Sequence, residues 1–396
     1  MKTKYWLVVA TILSQLSAIY PCTSILVSGK KSKSGRPLLW KNRDTSSEEN
    51  AVVYSKEGKY EFIGVVDRKD MRNQQVWMGA NNQGFAIINT ASYNLKEPND
   101  TTMLADCEGL LMCKALSICK DMIDFECFLD TLSRPMHVEA NFGVIDAFGN
   151  GAYFEVNNFK VRKFDVDESP DGYLIRTNYS FSGREDEGMG YVRYENARKL
   201  LNDTLQRGAE FTPELLYGYL GRTFYNSVLD KCANDVGEMP DWLTDQDYIP
   251  RHSTSSAVVF EGVKQGESPQ HGVLWTVLGY PPCTVVFPVL MNYPDLLPEL
   301  LKREGESNAP VNALSLSLKN EVFPIKRGNG SKYIRFDRLY NKSGEGVTQR
   351  IAREEQNVIK VTRDFLEKNN EPTREEVIRF YGEISSMVKS IMGNKK

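Results

Sequence analysis

Residues 22–44 read "CTSILVSGKKSKSGRPLLWKNRD", and the fold turns on how this stretch is read. "TSILVS" is rich in β-formers, "KKSKSGR" is a polar turn containing Gly35, and "PLLWKNRD" is a second β-rich run. Together they predict a β-hairpin with Cys22 at its open end and Asp44 at the far end of the returning strand. Upstream lies a different kind of segment. Lys2 and Lys4 give a positive start, Trp6 to Leu13 an apolar core, and Ser14 to Ala18 the small residues that suit cleavage. The apolar run is much shorter than the roughly 20 residues needed to span a bilayer. Residues 1–21 are therefore expected to be a signal peptide with a short propeptide, and the protein to be exported without stable membrane insertion.

Moving outward, "WMGANNQGFAIINTAS" places a turn at Asn81 to Gly84 and a buried strand over Phe85 to Asn89. Residues 105–132 carry Leu110, Leu111, Ala115, Ile118, Met122 and Ile123 at helical spacing. "NFGVIDAFGNGAYFEVNN" predicts a hairpin closed by Gly149-Asn150-Gly151. "DGYLIRTNYSF" reads as a strand and "GYVRYENARKLLNDTL" as a helix; "STSSAVVFEG" and "GVLWTVLGYPPCTVVFPV" add late strands. Strands, then helices, then strands again predict an α+β architecture with helices covering sheets. Residues 344–368 and 373–392 read as two charged amphipathic helices with Pro372 between them, a C-terminal helical extension expected over 331–396.

The 396 residues hold 49 Lys and Arg against 52 Asp and Glu, a balance that argues against a nucleic-acid groove. Of 7 cysteines, Cys107, Cys113, Cys119 and Cys127 share one helical stretch, and their spacing forms no paired zinc pattern. They are expected to be small apolar thiols of a helix, with no metal or organic cofactor implied. Cys22 stands apart. If it becomes residue one of the mature chain, its own α-amino group, with a reference pKa of about 7.7–8.0, can take the thiol proton and later return it to a leaving group. No histidine is then required, and His137, His252 and His271 are the only three in the chain.

"CTSILV" followed by "GRPLLWKNRDTS" resembles the start of the mature chain in the cysteine branch of the N-terminal-nucleophile (Ntn) hydrolases. That branch comprises choloylglycine hydrolases, penicillin V acylases, acyl-coenzyme A:6-aminopenicillanic acid acyltransferases and related dipeptidases. The likeness continues in "GANNQGFAI", "DCEGLLMCKAL", "IRTNYSF" and "LGYPPC", and so covers roughly residues 22–290. It implies a four-layer αββα sandwich over residues 22–330. It also implies an amidohydrolase that works through an acyl-thioester on Cys22, with a small-molecule amide as substrate. Asp44 would hold the α-amino group and Asn178 would donate its amide to the oxyanion. Arg193 is the first candidate for the arginine beside the nucleophile, and Arg251 in "IPRHSTSSAVV" is its rival. Lys41 and Asn42 complete the Lys41-Asn42-Arg43-Asp44 motif as supporting residues. Lys41 is a departure, since the bile-salt enzymes carry arginine there; the charge is kept and the planar fork is lost. Signal cleavage after Ala18 would leave Ile19-Tyr20-Pro21 ahead of Cys22, to be removed autocatalytically as in the family.

Other readings remain open at this level. A dipeptidase or acyltransferase of the same superfamily would share these residues, and a lipoprotein anchored through Cys22 would make the remainder a binding module. The acyl group, the amine and the state of homo-oligomerisation are not disclosed by the sequence.

Overall fold

The computed structural model describes residues 22–105, 107–235, 239–245 and 247–393; the expected signal peptide and propeptide lie outside them. The chain starts with the predicted hairpin, β1 (Thr23–Val27) and β2 (Leu38–Asp44), paired antiparallel from Thr23↔Asn42 to Val27↔Leu38. It then builds a second sheet with β3 (Asn50–Ser55), β4 (Phe62–Asp67), β5 (Val76–Asn81) and β6 (Ala86–Ala91). Helices α1 (Glu108–Ile118) and α2 (Met122–Thr131) follow, and β7 (Ala140–Ile145), β8 (Gly151–Val156) and β9 (Val161–Asp165) complete that sheet as a meander. Strand β10 (Tyr173–Arg176) returns to the first sheet, and α3 (Tyr191–Gln206) follows. Two minor pairings involve β11 (Tyr225–Asn226) with β12 (Lys231–Cys232), and β13 (Trp242–Thr244) with a later strand, β17. Strands β14 (Thr254–Glu261), β15 (Val273–Leu278) and β16 (Phe287–Leu290) finish the first sheet in the order β10-β1-β2-β14-β15-β16. Then come α4 (Pro310–Val322), β17 (Tyr333–Arg335), α5 (Phe336–Leu339), α6 (Val347–Lys368) and α7 (Arg374–Gly393).

The result is an α+β fold with two antiparallel sheets and C-terminal helices, as the strand–helix–strand order predicts. The sheets meet where small residues let them approach. A Cβ added at Gly143 on β7 would lie 3.0 Å from Leu39 of β2, and one at Gly151 on β8 would lie 2.9 Å from Leu26 of β1. Tyr153 of β8 donates its hydroxyl across the gap to Ser24 Oγ of β1 at 2.8 Å.

One expectation needs correction. Residues 105–132 are two helices, because Cys119 is extended (ψ 134°) and Asp121 restarts the chain as an N-cap accepting from Asp124 N at 2.8 Å. The apolar face also differs. Leu111, Met112, Ala115, Phe125 and Leu129 pack on Phe142 and Phe154 of the second sheet, whereas Leu110 and Ile123 are exposed. The cysteines of this stretch split accordingly: Cys119 is buried, Cys107 and Cys113 are half-buried, and Cys127 is exposed. Helical spacing marked the right segment but could not locate the restart that rotates one face against the other.

The C-terminal pair forms within a few residues of its predicted bounds. Ile351 and Val358 of α6 and Ile384 and Val388 of α7 join the same core cluster as Trp40 and Trp275. Glu355 accepts two bonds from Arg222, at 2.7 and 2.8 Å, and one from Val286 N at 2.7 Å, with both ionic side chains 3% exposed. Among the described residues no helix is long and apolar enough to cross a membrane. Removing one partner of a buried pair strands the other charge. Glu355→Ala is therefore expected to lower unfolding free energy by about 3–5 kcal/mol in urea titration, and Arg353→Ala, exposed on the same helix, by well under 1 kcal/mol.

Candidate active site

Cys22 sits at the open end of the hairpin, 6% exposed, with its sulfur bracketed by the backbone of Asp44. Asp44 N donates to Sγ at 3.5 Å, and Sγ lies 3.8 Å from Asp44 O. The strand pairing causes this, since the register that sets Thr23 against Asn42 carries Cys22 to the C-terminal end of β2.

Asp44 is held from the neighbouring strand. Thr254 opens β14 opposite Asp44, at a register irregularity between Thr254 and Ser256, and donates Oγ1 to Asp44 Oδ1 at 2.6 Å. Asn42 fixes Thr254 in turn, donating Nδ2 to Thr254 Oγ1 at 3.2 Å and to Ile249 O at 3.0 Å. Asp44 Oδ2 is buried and has no hydrogen-bond partner among the described residues. The nearest cation on that side is Arg251, with Nε 3.8 Å away. Burial, only partly offset by the charges of Arg251 and Arg193 and the Thr254 bond, pushes the Asp44 carboxyl up to about 6.

Arg193 comes from the first turn of α3 and is fully buried. Its guanidinium donates to the Cys22 carbonyl, to Thr23 Oγ1 at 3.0 Å and to Asn178 Oδ1 at 2.9 Å. Gly190 makes room for it: the residue has φ 83°, and a Cβ there would stand 2.2 Å from the guanidinium. Burial and the nearby charge of Arg251 lower the Arg193 pKa to about 10, against the opposing pull of Asp44 and Cys22.

Asn178 is fully buried just beyond β10. The segment around it is pinned by Glu155 of β8, which takes Arg176 Nε at 2.8 Å, Phe181 N at 2.9 Å and Ser182 N at 2.8 Å. With Oδ1 occupied by Arg193, the Asn178 amide is oriented unambiguously. One Nδ2 hydrogen goes to Ala91 O at 2.7 Å, and the second is left for another acceptor.

Lys41 is buried on the other face of β2, donating to Asn89 Oδ1 at 2.7 Å and Trp77 O at 3.0 Å. Burial lowers its pKa to about 8, with the charge of Cys22 pulling the other way. An anion forming at the sulfur therefore meets positive charge on both faces of the hairpin.

All seven residues singled out from the sequence (Cys22, Lys41, Asn42, Asp44, Asn178, Arg193 and Arg251) converge here. Both candidate arginines reach the site, in different places: Arg193 holds the Cys22 carbonyl and Asn178, and Arg251 flanks the Asp44 carboxylate. Thr254 and Asn89 were missed. Thr254 lies in the quoted "STSSAVV", but only the β2–β14 pairing reveals what it faces. His252 is accounted for structurally, its ring set edge-on to Phe323 at 4.8 Å.

Among solved structures, the chain is similar to a conjugated bile acid hydrolase from Clostridium perfringens, with 12% identity and a TM-score of 0.42 over 72% of this chain and 94% of that one. It is similar also to the penicillin V acylase from Agrobacterium tumefaciens, with 12% identity and a TM-score of 0.36 over 68% and 86% of the two chains. The Caenorhabditis elegans ortholog of N-acylethanolamine-hydrolyzing acid amidase matches at 14% identity and a TM-score of 0.35, over 46% of this chain and 79% of that one. Bile acid hydrolase and penicillin V acylase are the kinds of protein whose motifs the hairpin resembles. No protein-family model matches the chain, and no curated protein does. At such scores and identities the chemical reading stands on the geometry of the site.

The raised Asp44 carboxyl has a thermodynamic signature. The unfolded chain loses this proton near 3.8 and the folded chain near 6, so the folded state binds more protons between them and loses stability as pH rises through that window. In a Cys22→Ala background, Asp44→Asn is expected to stabilise the fold at pH 8, by about 3 kcal/mol. The gain should shrink towards zero at pH 4. Thermal unfolding at the two pH values reads it directly; a destabilised variant at pH 8 would show that the carboxylate is instead well solvated or paired.

Proposed function

We propose that the protein is an exported Ntn amidohydrolase that cleaves a linear amide, non-peptide or short-peptide, through Cys22 as N-terminal nucleophile. The finer architecture proposed with it is the four-layer αββα sandwich, carrying a C-terminal helical extension. The observation that supports this most is the buried Asp44 carboxylate with its unpartnered Oδ2, joined through its own backbone to the Cys22 sulfur. A buried acceptor without a donor is costly. Release of the Cys22 α-amino group from the preceding peptide bond supplies that donor, because an N–H of the freed amine can bond Oδ2 while its lone pair stays available.

The remaining groups then have consistent roles. The neutral α-amine takes the thiol proton while Sγ attacks the substrate carbonyl, forming the carbon–sulfur bond. Charge that develops on the carbonyl oxygen is met by the second Asn178 amide hydrogen, pre-aimed because Arg193 holds the other end of the amide. Collapse breaks the carbon–nitrogen bond, and the α-ammonium returns its proton to the departing amine. Water, activated by the same amine, hydrolyses the thioester. An acyltransferase would differ only in the final acceptor, and a dipeptidase only in the substrate. A lipid anchor at Cys22 fits poorly, since its sulfur is buried and its carbonyl is held by Arg193.

Intact-mass analysis and N-terminal sequencing test the proposal. Wild-type protein should begin at Cys22, whereas Cys22→Ala should retain upstream residues and lose at least about 10⁴-fold in turnover across bile-salt conjugates, penicillin V, N-acyl amino acids and dipeptides. A fully active chain that begins upstream of Cys22 would overturn it.

A further inference from the structure

Beyond Arg251 lies a cavity of about 350 Å³, one side chain away from the reacting centre. Val192, Val228 and Leu229 give it an apolar wall, and Asp245, Asp247 and Lys332 give it charge. Val192 adjoins Arg193, and Arg251 bridges loosely from Asp44 (3.8 Å) to Asp247 (3.9 Å). The cavity thus shares Arg251 with the group of side chains around Cys22.

Asp245 is the unexplained member. Its backbone is satisfied, with N donating to Lys332 O at 2.8 Å, and its Oδ2 accepts from His252 N at 2.9 Å. Its Oδ1 is buried and has no partner among the described residues. Burial raises the Asp245 carboxyl above its ordinary pKa, and the charge of Arg251 opposes that. Asp245 is also close enough to be felt electrostatically by Asp44. Nothing in the fold needs the free oxygen: a backbone cap at His252 uses only one of the two, and an asparagine or serine would serve as well. Val228 and Leu229 are 72% and 60% exposed on a short loop, apolar surface that a ligand would cover.

Resting on the amidohydrolase reading above, we infer that this cavity is the acyl-side pocket and that Asp245 selects substrates carrying a free ammonium group beside the scissile carbonyl, namely aminoacyl amides with an apolar side chain. The ammonium donates to Asp245 Oδ1, and the side chain lies on Val192, Val228 and Leu229. Asp245 touches substrate but takes no part in bond making, so it acts on selection and not on the chemical step.

The test compares leucyl p-nitroanilide with N-acetyl-leucyl p-nitroanilide on the processed full-length protein. Wild type should favour the free amine in kcat/KM. Asp245→Asn should lose about 10- to 100-fold on the free amine, chiefly in KM, and stay within about twofold on the acetylated compound. Equal loss on both substrates, or a wild type that does not prefer the free amine, overturns the inference. If Asp245→Asn fails to fold, the wild-type preference decides by itself. Mass spectrometry of the Cys22 peptide separates the two levels of reading. A leucyl or acetyl-leucyl thioester on Cys22 without preference for the free amine sinks this inference alone, and no adduct from either substrate sinks the amidohydrolase reading with it.

Discussion

The site depends on one guanidinium. Among the described residues Arg193 has no carboxylate bonded to it, yet it is fully buried and spends its donors on a backbone carbonyl, a hydroxyl and an amide oxygen. Two of these acceptors, on Cys22 and Thr23, lie at the start of β1, and the third lies on the segment after β10. A planar, rigid fork can hold these two pieces in one geometry, which a lysine's flexible point charge cannot. The position of Cys22 and the direction of the Asn178 amide are therefore consequences of the same side chain.

Around that fork the protein accumulates buried charge. Lys41, Arg193 and Asp44 each shift towards neutrality because water has been excluded from them. A fold selected only for stability would place apolar side chains at these positions. At this end of the hairpin Asp44 and Arg193 each also keep one buried polar atom without a hydrogen bond among the described residues. The Arg176–Glu155 pair illustrates the contrast, with its bonds complete and the chain beyond β10 anchored by it.

Much of this was legible in the sequence because the site is assembled from strand ends. A hairpin brings Cys22 to Asp44 whatever happens later in the chain, so two β-rich runs, "TSILV" and "LLWKNRD", either side of a polar turn sufficed. Arg193 and Asn178 were readable as a helix start and a strand end, though the sequence could not say that the two bond each other. Thr254 was invisible because its role comes from a non-local pairing, in which β14 inserts beside β2 more than two hundred residues away in the chain. The split between α1 and α2 was misread for a related reason: an Asp that caps a helix has the same periodic neighbours as one inside it. Asp245 gave no signal at all, since an orphaned oxygen exists only in three dimensions.

The pairing of Glu355 with Arg222 also says something about where this polypeptide can be cut. Glu355 satisfies the amide of Val286 just before β16, so α6 supplies internal wiring to the sheet that carries the hairpin. A fragment ending before α6 would strip the Arg222 guanidinium and the Val286 amide of their shared acceptor, beside the edge strand β16. The tail is accordingly a constituent of the scaffold behind the hairpin that carries Cys22.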